Sequence, residues 1–280
     1  MRALIIYLVI SAVFIGCTPI LSIDASTQSV YHFSDTDKNI SLLDISETFG
    51  TYDGSFVLYD NNLDSWKIYD LEEATKRIPP ESTYKIYDAL LGLESGIITP
   101  EHSSMTWNGD AFPFPSWEAD QDLNSAMQNS VNWYFQAIDS QLGINRVQEF
   151  LNKIEYGNQT TSSNLDLYWS DFSLKISPLE QVTLLKKFNT NEFHLNSQNV
   201  FSVKNAIKIA STPNGNFYGK TGTGRVNGQD INGWFIGYVE TSDNSYYFAT
   251  NIQSDSNATG KKAFEITSDT VSYTHLTLPT

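Results

Sequence analysis

The stretch over residues 82–93 constrains this chain more than any other. Tyr84, Ile86, Tyr87, Ala89, Leu90, Leu91 and Leu93 leave little polar face when wound into a helix, and a helix apolar nearly all round has to be buried. Pro79-Pro80 stops regular structure shortly before it. The first residues, Ser82-Thr83-Tyr84-Lys85, therefore belong at the sheltered N-terminal end. Residues three apart on a helix share a face, which sets a hydroxyl beside an amine. A serine hydroxyl is a weak nucleophile until a neighbouring base takes its proton. Lys85 can be that base only if its pKa falls far below the ordinary value of about 10.4. Taken alone the spacing decides nothing, because Ser and Lys meet this way on many exposed helices. Its partners elsewhere in the chain decide.

Composition narrows the classes. A hydrophobic share of 40% with 13% aromatic residues indicates a globular core. The 32 acidic and 17 basic residues leave a net charge of -15, with no long basic run. Nucleic acid is thereby excluded as a partner, since phosphate binding needs clustered Lys and Arg. The single cysteine, Cys17, rules out an internal disulfide and a Cys-based zinc site. His32, His102, His194 and His275 are scattered and form no H-E-x-x-H, so metal hydrolysis has no support and no metal is expected.

The beginning of the chain reads as an export signal. Met1-Arg2 precedes an apolar run over residues 3–16, shorter than the roughly 18 to 20 residues a bilayer-spanning helix needs. Phe14-Ile15-Gly16-Cys17 resembles a bacterial lipobox. That resemblance implies a signal peptide over residues 1–16, cleavage before Cys17, and a membrane anchor through lipid on its sulfur; an ordinary signal peptide is the alternative. Either way the expected location is extracytoplasmic. Residues 17–44 read as a tether, rich in Ser, Thr and Asp in their first part, and residues 45–270 as the folded domain.

Within the domain, Ser55-Phe56-Val57-Leu58-Tyr59 and Ser65-Trp66-Lys67-Ile68-Tyr69 are strand-like and flank a polar turn, a hairpin signal. Residues 96–120 read as a loop holding Trp107, Phe112, Phe114 and Trp117. Helical stretches follow over residues 122–142 and 146–154, and Pro178 opens another. Residues 216–223, 233–240 and 246–252 return to β-branched and aromatic strands, and a last helix begins near Gly260. The expected architecture is α+β: one antiparallel sheet built from both chain ends, flanked by helices, with the middle of the chain forming a helical lobe.

The chemistry-bearing residues lie on these elements. Lys220-Thr221-Gly222 sets a cation and a hydroxyl beside a glycine, suited to an anionic substrate that must approach the backbone closely. Ser130-Val131-Asn132 offers a second hydroxyl able to relay a proton to a leaving group. S-x-x-K, then S-x-N, then K-T-G, in this order and far apart, is the signature of active-site serine penicillin-recognising enzymes.

Further matches narrow the family. Tyr156-Gly157-Asn158, Trp169 five residues before Leu174-Lys175-Ile176-Ser177, and Gly233-Trp234-Phe235-Ile236-Gly237, with the three motifs, resemble class D (oxacillinase-type) β-lactamases. They resemble equally the penicillin-sensor domain of the β-lactam sensor-transducers of Gram-positive bacteria, and Ser130-Val131-Asn132-Trp133-Tyr134-Phe135 is especially like that group. The resemblance covers roughly residues 45–267 and implies the serine β-lactamase/penicillin-binding-protein fold, with β-lactam antibiotics as partners. It implies that Ser82 is the nucleophile and that carbon dioxide or bicarbonate carboxylates Lys85, with no other cofactor. It further implies that Trp169 holds the carbamate, that the N–H groups of Ser82 and Thr223 form an oxyanion hole, that Lys220 and Thr221 meet the substrate carboxylate, and that Ser130 shuttles a proton to the lactam nitrogen. A carbamate needs a neutral amine, and burial favours neutral lysine.

Two departures bear on turnover. Many class D enzymes carry an apolar residue where Asn132 stands; an amide there can bind Lys85 as the free amine, compete with carboxylation and favour a lasting acyl-enzyme. Many also carry an arginine for the substrate carboxylate, where this chain has Lys261-Lys262-Ala263-Phe264. The readings left open are a lipid-anchored class D hydrolase conferring β-lactam resistance, a sensor that acylates and stops, and a cell-wall transpeptidase or carboxypeptidase. The single short apolar segment, the lipobox and the lack of H-E-x-x-H put the expectation on the hydrolase. Residues 271–280 abandon the pattern of the last helix for Thr, Leu and Pro, resemble a translated sequencing adapter, and are expected to be non-native or poorly ordered.

Overall fold

The computed structural model describes residues 39–273. The signal segment, Cys17, most of the tether and residues 274–280 lie outside the described residues. In chain order the elements begin with β1 (Ile40–Leu42), α1 (Ser46–Phe49), β2 (Asp53–Asp60), β3 (Ser65–Tyr69) and α2 (Leu71–Thr75). The helical part comprises α3 (Lys85–Glu94), α4 (Leu123–Gln128), α5 (Asn132–Leu142), α6 (Ile144–Ile154), α7 (Pro178–Asn189) and α8 (Ser197–Ala206). The chain closes with β4 (Lys208–Thr212), β5 (Gly215–Val226), β6 (Gln229–Glu240), β7 (Ser245–Gln253) and α9 (Gly260–Tyr273).

The strands form one seven-stranded sheet in the order β1-β3-β2-β7-β6-β5-β4. Its centre joins the two chain ends as expected: Val57 of β2 faces Ile68 of β3 on one side and Ala249 of β7 on the other. Every ladder is antiparallel except the edge pair β1–β3, which is parallel. Both unexpected strands, β1 and β4, lie at the sheet edges. They are three and five residues long, too short for period-two patterning to stand out. The β5–β6 turn is built by Asn227 and Gly228 at φ 50° and 81°, the left-handed pair a tight two-residue hairpin requires.

The central strands are buried on both faces, so they read as continuous apolar runs rather than alternating ones. On one face Val57, Tyr59, Trp234, Ile236, Tyr238 and Tyr247 join the core of the helical lobe. On the other, Phe56, Leu58, Phe217, Phe235, Phe248 and Ile252 pack against Ala263 and Ile266 of α9. The α3 helix is enclosed as its sequence demands: Lys85 to Leu93 are all buried. Ser177 and Glu180 cap α7 reciprocally around Pro178, and Glu180 also pairs with Arg77.

Three boundaries differ from expectation. The helix expected at Ser82 starts as a 3-10 turn over Glu81–Tyr84 and becomes α-helical at Lys85. Glu81 there has a left-handed φ of 53°, and its N–H is spent on the Trp169 carbonyl at 3.0 Å rather than within the turn. The stretch expected to be mostly helical over residues 122–142 breaks between α4 and α5, where Ser130 takes φ 53°. The final helix runs through residue 271, whose Val side chain is buried, and ends at Tyr273. Val271 thus belongs to the folded domain because it completes the apolar face of α9.

Tyr156-Gly157-Asn158 has a structural task. Asn158 donates from Nδ2 to the Ser173 carbonyl at 2.7 Å and accepts from the Lys175 N–H at 2.9 Å, which closes the loop carrying Tyr168 and Trp169. Gly157 sits at φ 49°, and a Cβ there would overlap the Lys175 carbonyl oxygen. Gly157→Ala should therefore lower stability by roughly 2 to 4 kcal/mol, read as a shifted midpoint in urea denaturation with unchanged slope.

Candidate active site

The 3-10 turn and the first turn of α3 bring Ser82 and Lys85 together: Lys85 Nζ donates to Ser82 Oγ at 3.1 Å. A second acceptor, Asn132 Oδ1 at the first residue of α5, lies 2.7 Å from the same nitrogen. Apolar walls complete the surroundings, with the rings of Phe135 and Trp169 centred 5.5 and 5.4 Å from Nζ. Lys85 is 1% exposed. Burial pushes its pKa down to about 8, opposed chiefly by the negative charge of Asp88 and then by Glu81 and Asp139. A free-amine fraction adequate for base chemistry follows near neutral pH.

The second centre is Lys220 on β5. Its Nζ makes a short hydrogen bond to Ser130 Oγ and another to the Thr221 carbonyl at 3.0 Å. Burial pushes Lys220 down to about 7, and the charge of Lys85 adds to the effect. Ser130 is thus held by its left-handed turn and by a lysine readily deprotonated.

Strand β5 brings Lys220, Thr221, Gly222 and Thr223 to the nucleophile. A Cβ on Gly222 would stand 3.1 Å from the Pro80 carbonyl oxygen and 3.3 Å from the Ser82 nitrogen, a tight approach that glycine eases. The sheet edge here is open, because β4 pairs with β5 only as far as Tyr218. Thr223 Oγ1 accepts from the Gly260 N–H at 2.8 Å, tying β5 to the start of α9. Ser82, Asn132 and Trp169 gather on Lys85 through two hydrogen bonds and a ring contact. Ser130 and Lys220 form a second pair, the charge of Lys85 acts on Lys220, and Gly222 of the Thr221–Thr223 segment lies against Ser82. Of the basic residues that could take a carboxylate in place of an arginine, Lys262 pairs with Glu265 at 3.5 Å. Arg225 is held by Asp230 at 2.7 Å on the exposed β5–β6 hairpin.

The aromatic loop is tied to the neighbourhood of Ser130. Trp117 donates through Nε1 to the Asn129 carbonyl at 2.9 Å, and Trp133 through Nε1 to the Trp117 carbonyl at 2.9 Å. These bonds fasten the loop to the turn that carries Ser130. Among the described residues no group of His, Cys, Asp and Glu could hold a metal ion.

Sequence reasoning missed three acids and one ring. Phe135 comes to Lys85 only because α5 packs on α3. Asp88, an acid inside an otherwise apolar helix, was legible as an anomaly; its neighbour Asp139 on α5 was not. Glu81 precedes the nucleophile directly, is buried, and accepts from Asn232 Nδ2 at 3.2 Å. Burial raises Glu81 from 4.5 to about 8, against the opposing effects of the Asn232 bond and Lys85. The folded state thus binds a proton that the unfolded chain loses, and stability falls as pH rises from about 4.5 to about 8. Thermal melts of Glu81→Gln should match the native protein near pH ~4 and exceed it by a few degrees near pH ~8.5; an equal gain at both would contradict this account.

The match to known proteins agrees with this geometry. The model of the penicillin-binding protein transpeptidase domain matches residues 50–272. Regulatory protein BlaR1 of Bacillus licheniformis is 45% identical over 266 residues, which are 94% of this chain and 44% of that protein. The chain thus spans less than half the length of that relative. The solved C-terminal domain of the Bacillus licheniformis BlaR penicillin-receptor superposes with a TM-score of 0.83 at 44% identity, covering 86% of this chain and 98% of that domain. The class D β-lactamase BAT-2 gives a TM-score of 0.79 at 35% identity, covering 85% and 98%.

Proposed function

The chain belongs to the penicillin-binding protein transpeptidase-domain family and has the serine β-lactamase fold, and from that premise we propose that it is a β-lactam receptor domain, acylated at Ser82 and slow to release the product. The observation that carries this reading is the 2.7 Å bond from Lys85 Nζ to Asn132 Oδ1.

Acylation uses groups already in place. Ser82 Oγ attacks the lactam carbonyl carbon while Lys85, as the free amine, takes its proton. The N–H groups of Ser82 and Thr223 receive the oxygen on which negative charge develops. The C–N bond of the ring then breaks, and Ser130 gives its proton to the departing nitrogen and is reprotonated from Lys220. Lys220, Thr221 and Thr223 face the substrate carboxylate, with Gly222 giving the room for its approach and Asn132 the opposite wall.

Deacylation needs a base that activates water against the Ser82 ester. A carboxylated Lys85 would supply that base, and the buried amine between Phe135 and Trp169 fits the modification. Asn132 opposes it, because its carbonyl oxygen sits 2.7 Å from Nζ, and a carbamate would set an anionic group beside that oxygen while leaving Nζ a single N–H to share between Asn132 and Ser82. The expectation of a hydrolase therefore gives way to the sensor reading, which the similarity to BlaR1 also supports. The length of the chain carries no weight in this choice. Hydrolysis stays the second reading on one observation, the 35% identity to a class D β-lactamase over 85% of this chain. Export and lipid attachment at Cys17 belong to the same proposal; among the described residues no helix is long and apolar enough to cross a membrane.

Penicillin should add one adduct mass per chain, absent in Ser82→Ala, and a chromogenic cephalosporin with bicarbonate should give a burst of one equivalent and then slow release. Sustained turnover under those conditions would move the protein to the hydrolases. Asn132→Val should speed release of the acyl group about tenfold or more, the equivalent of about 1.4 kcal/mol off the deacylation barrier, measured by mass spectrometry of the decaying adduct.

A further inference from the structure

One helical turn beyond Lys85 lies a carboxyl group that the chemistry above does not use. Residues three apart on a helix are neighbours, so Asp88 stands beside Lys85 on α3. Asp88 is fully buried, and no backbone or side-chain N–H or O–H reaches either of its oxygens. Across the α3–α5 interface it faces Asp139, also fully buried. The Tyr168 hydroxyl donates to Asp139 Oδ1 at 3.5 Å, and the other oxygen of Asp139 has no such donor. Two carboxyls in contact inside a core cannot both be ionised, so they satisfy each other by sharing a proton. Burial raises both above the ordinary aspartate range, Asp139 to about 8, and the charge of Asp139 raises Asp88 further.

We propose that Asp88 and Asp139 act together as the counter-charge of Lys85, a proton-sharing carboxyl pair that holds the lysine cationic when ionised and opposes its conversion to an anionic carbamate. Carboxylation joins the Nζ lone pair of the neutral amine to the carbon of carbon dioxide. One C=O electron pair moves to oxygen and one N–H proton leaves, so a neutral group becomes an anion. An anion beside the ionised pair is disfavoured, and the ammonium form that cannot react is favoured. Rising pH therefore frees the amine and charges its neighbours over the same interval. The other charged groups facing Lys85 are Glu81 from the 3-10 turn and Lys220 from β5. The pair itself faces the hydroxyls of Tyr84, Tyr134 and Tyr168, and the charge of Asp166 acts on Asp139. None of the tyrosines titrates near neutral pH, since burial raises all three. Asp88 and Asp139 are thus positioning residues. They act through Lys85 and deepen the receptor reading, on which their consequence for acyl-enzyme lifetime rests.

The test is carbon-13 NMR of the protein in labelled bicarbonate without any β-lactam, following the carbamate resonance that Lys85→Ala removes. Near pH ~8.5, Asp88→Asn should reach half-carboxylation at about tenfold less bicarbonate than the native protein, the effect of about one pKa unit on the amine. The native protein by itself should gain carbamate less steeply with pH than an isolated amine. Native and variant titrations that superimpose, a native profile like that of a lone amine, or no carbamate in any of the proteins would overturn the proposal. The native profile decides if Asp88→Asn does not fold. Penicillin acylation, read separately by mass, distinguishes failure of the receptor reading from failure of the counter-charge.

Discussion

The structure depends on the burial of one lysine. Lys85 occupies the first position of a helix whose every side is covered, with an aromatic ring on two sides of its amine. Taking an ammonium out of water costs free energy, and the protein answers by letting the amine approach neutrality and by surrounding it with acceptors. Ser82 and Asn132 accept from it directly, and three buried acids stand within its field. The same burial that makes Lys85 a base makes its protonation sensitive to every neighbour.

In the proposed function that sensitivity is where a receptor and a hydrolase on this fold would part. On that proposal, Ser82, Lys85, Ser130 and Lys220 are the parts that open a lactam. What separates a lasting ester from turnover, on the same proposal, is the state of one nitrogen, and the hydrogen bond it gives to Asn132 biases it. The acids Glu81, Asp88 and Asp139 act on that same nitrogen through charge, from the turn before it, the helix beyond it and the helix across from it.

The scaffold makes these placements rigid. The sheet is closed through its centre by β2 and β7, elements near opposite ends of the domain. The nucleophile sits where the chain leaves the Pro79-Pro80 segment, whose Pro79 carbonyl accepts from Asn232 and from the Trp234 indole of β6. Asn158 clamps the loop of Trp169, and Trp117 and Trp133 clamp the loop beside Ser130. Side-chain-to-backbone bonds therefore hold the parts that regular secondary structure does not.

The fold class and the principal motif residues were legible in the sequence because they rest on local rules. An all-round apolar helix must be buried, β-branched and aromatic runs make strands, and S-x-x-K, S-x-N and K-T-G are read by spacing alone. The edge strands β1 and β4, the break at Ser130 and the 3-10 start at Glu81 were not, because each follows from contacts with residues distant in sequence. The same holds for Phe135 over Lys85, for Asn232 on Glu81 and for Asp139 against Asp88. Residue types and their spacing singled out Ser82, Lys85, Ser130 and Lys220 as the groups to look for. Only the packing of α3 against α5 and β5 decided how far each is removed from water and which charges face it, and those two quantities set the proton on Lys85.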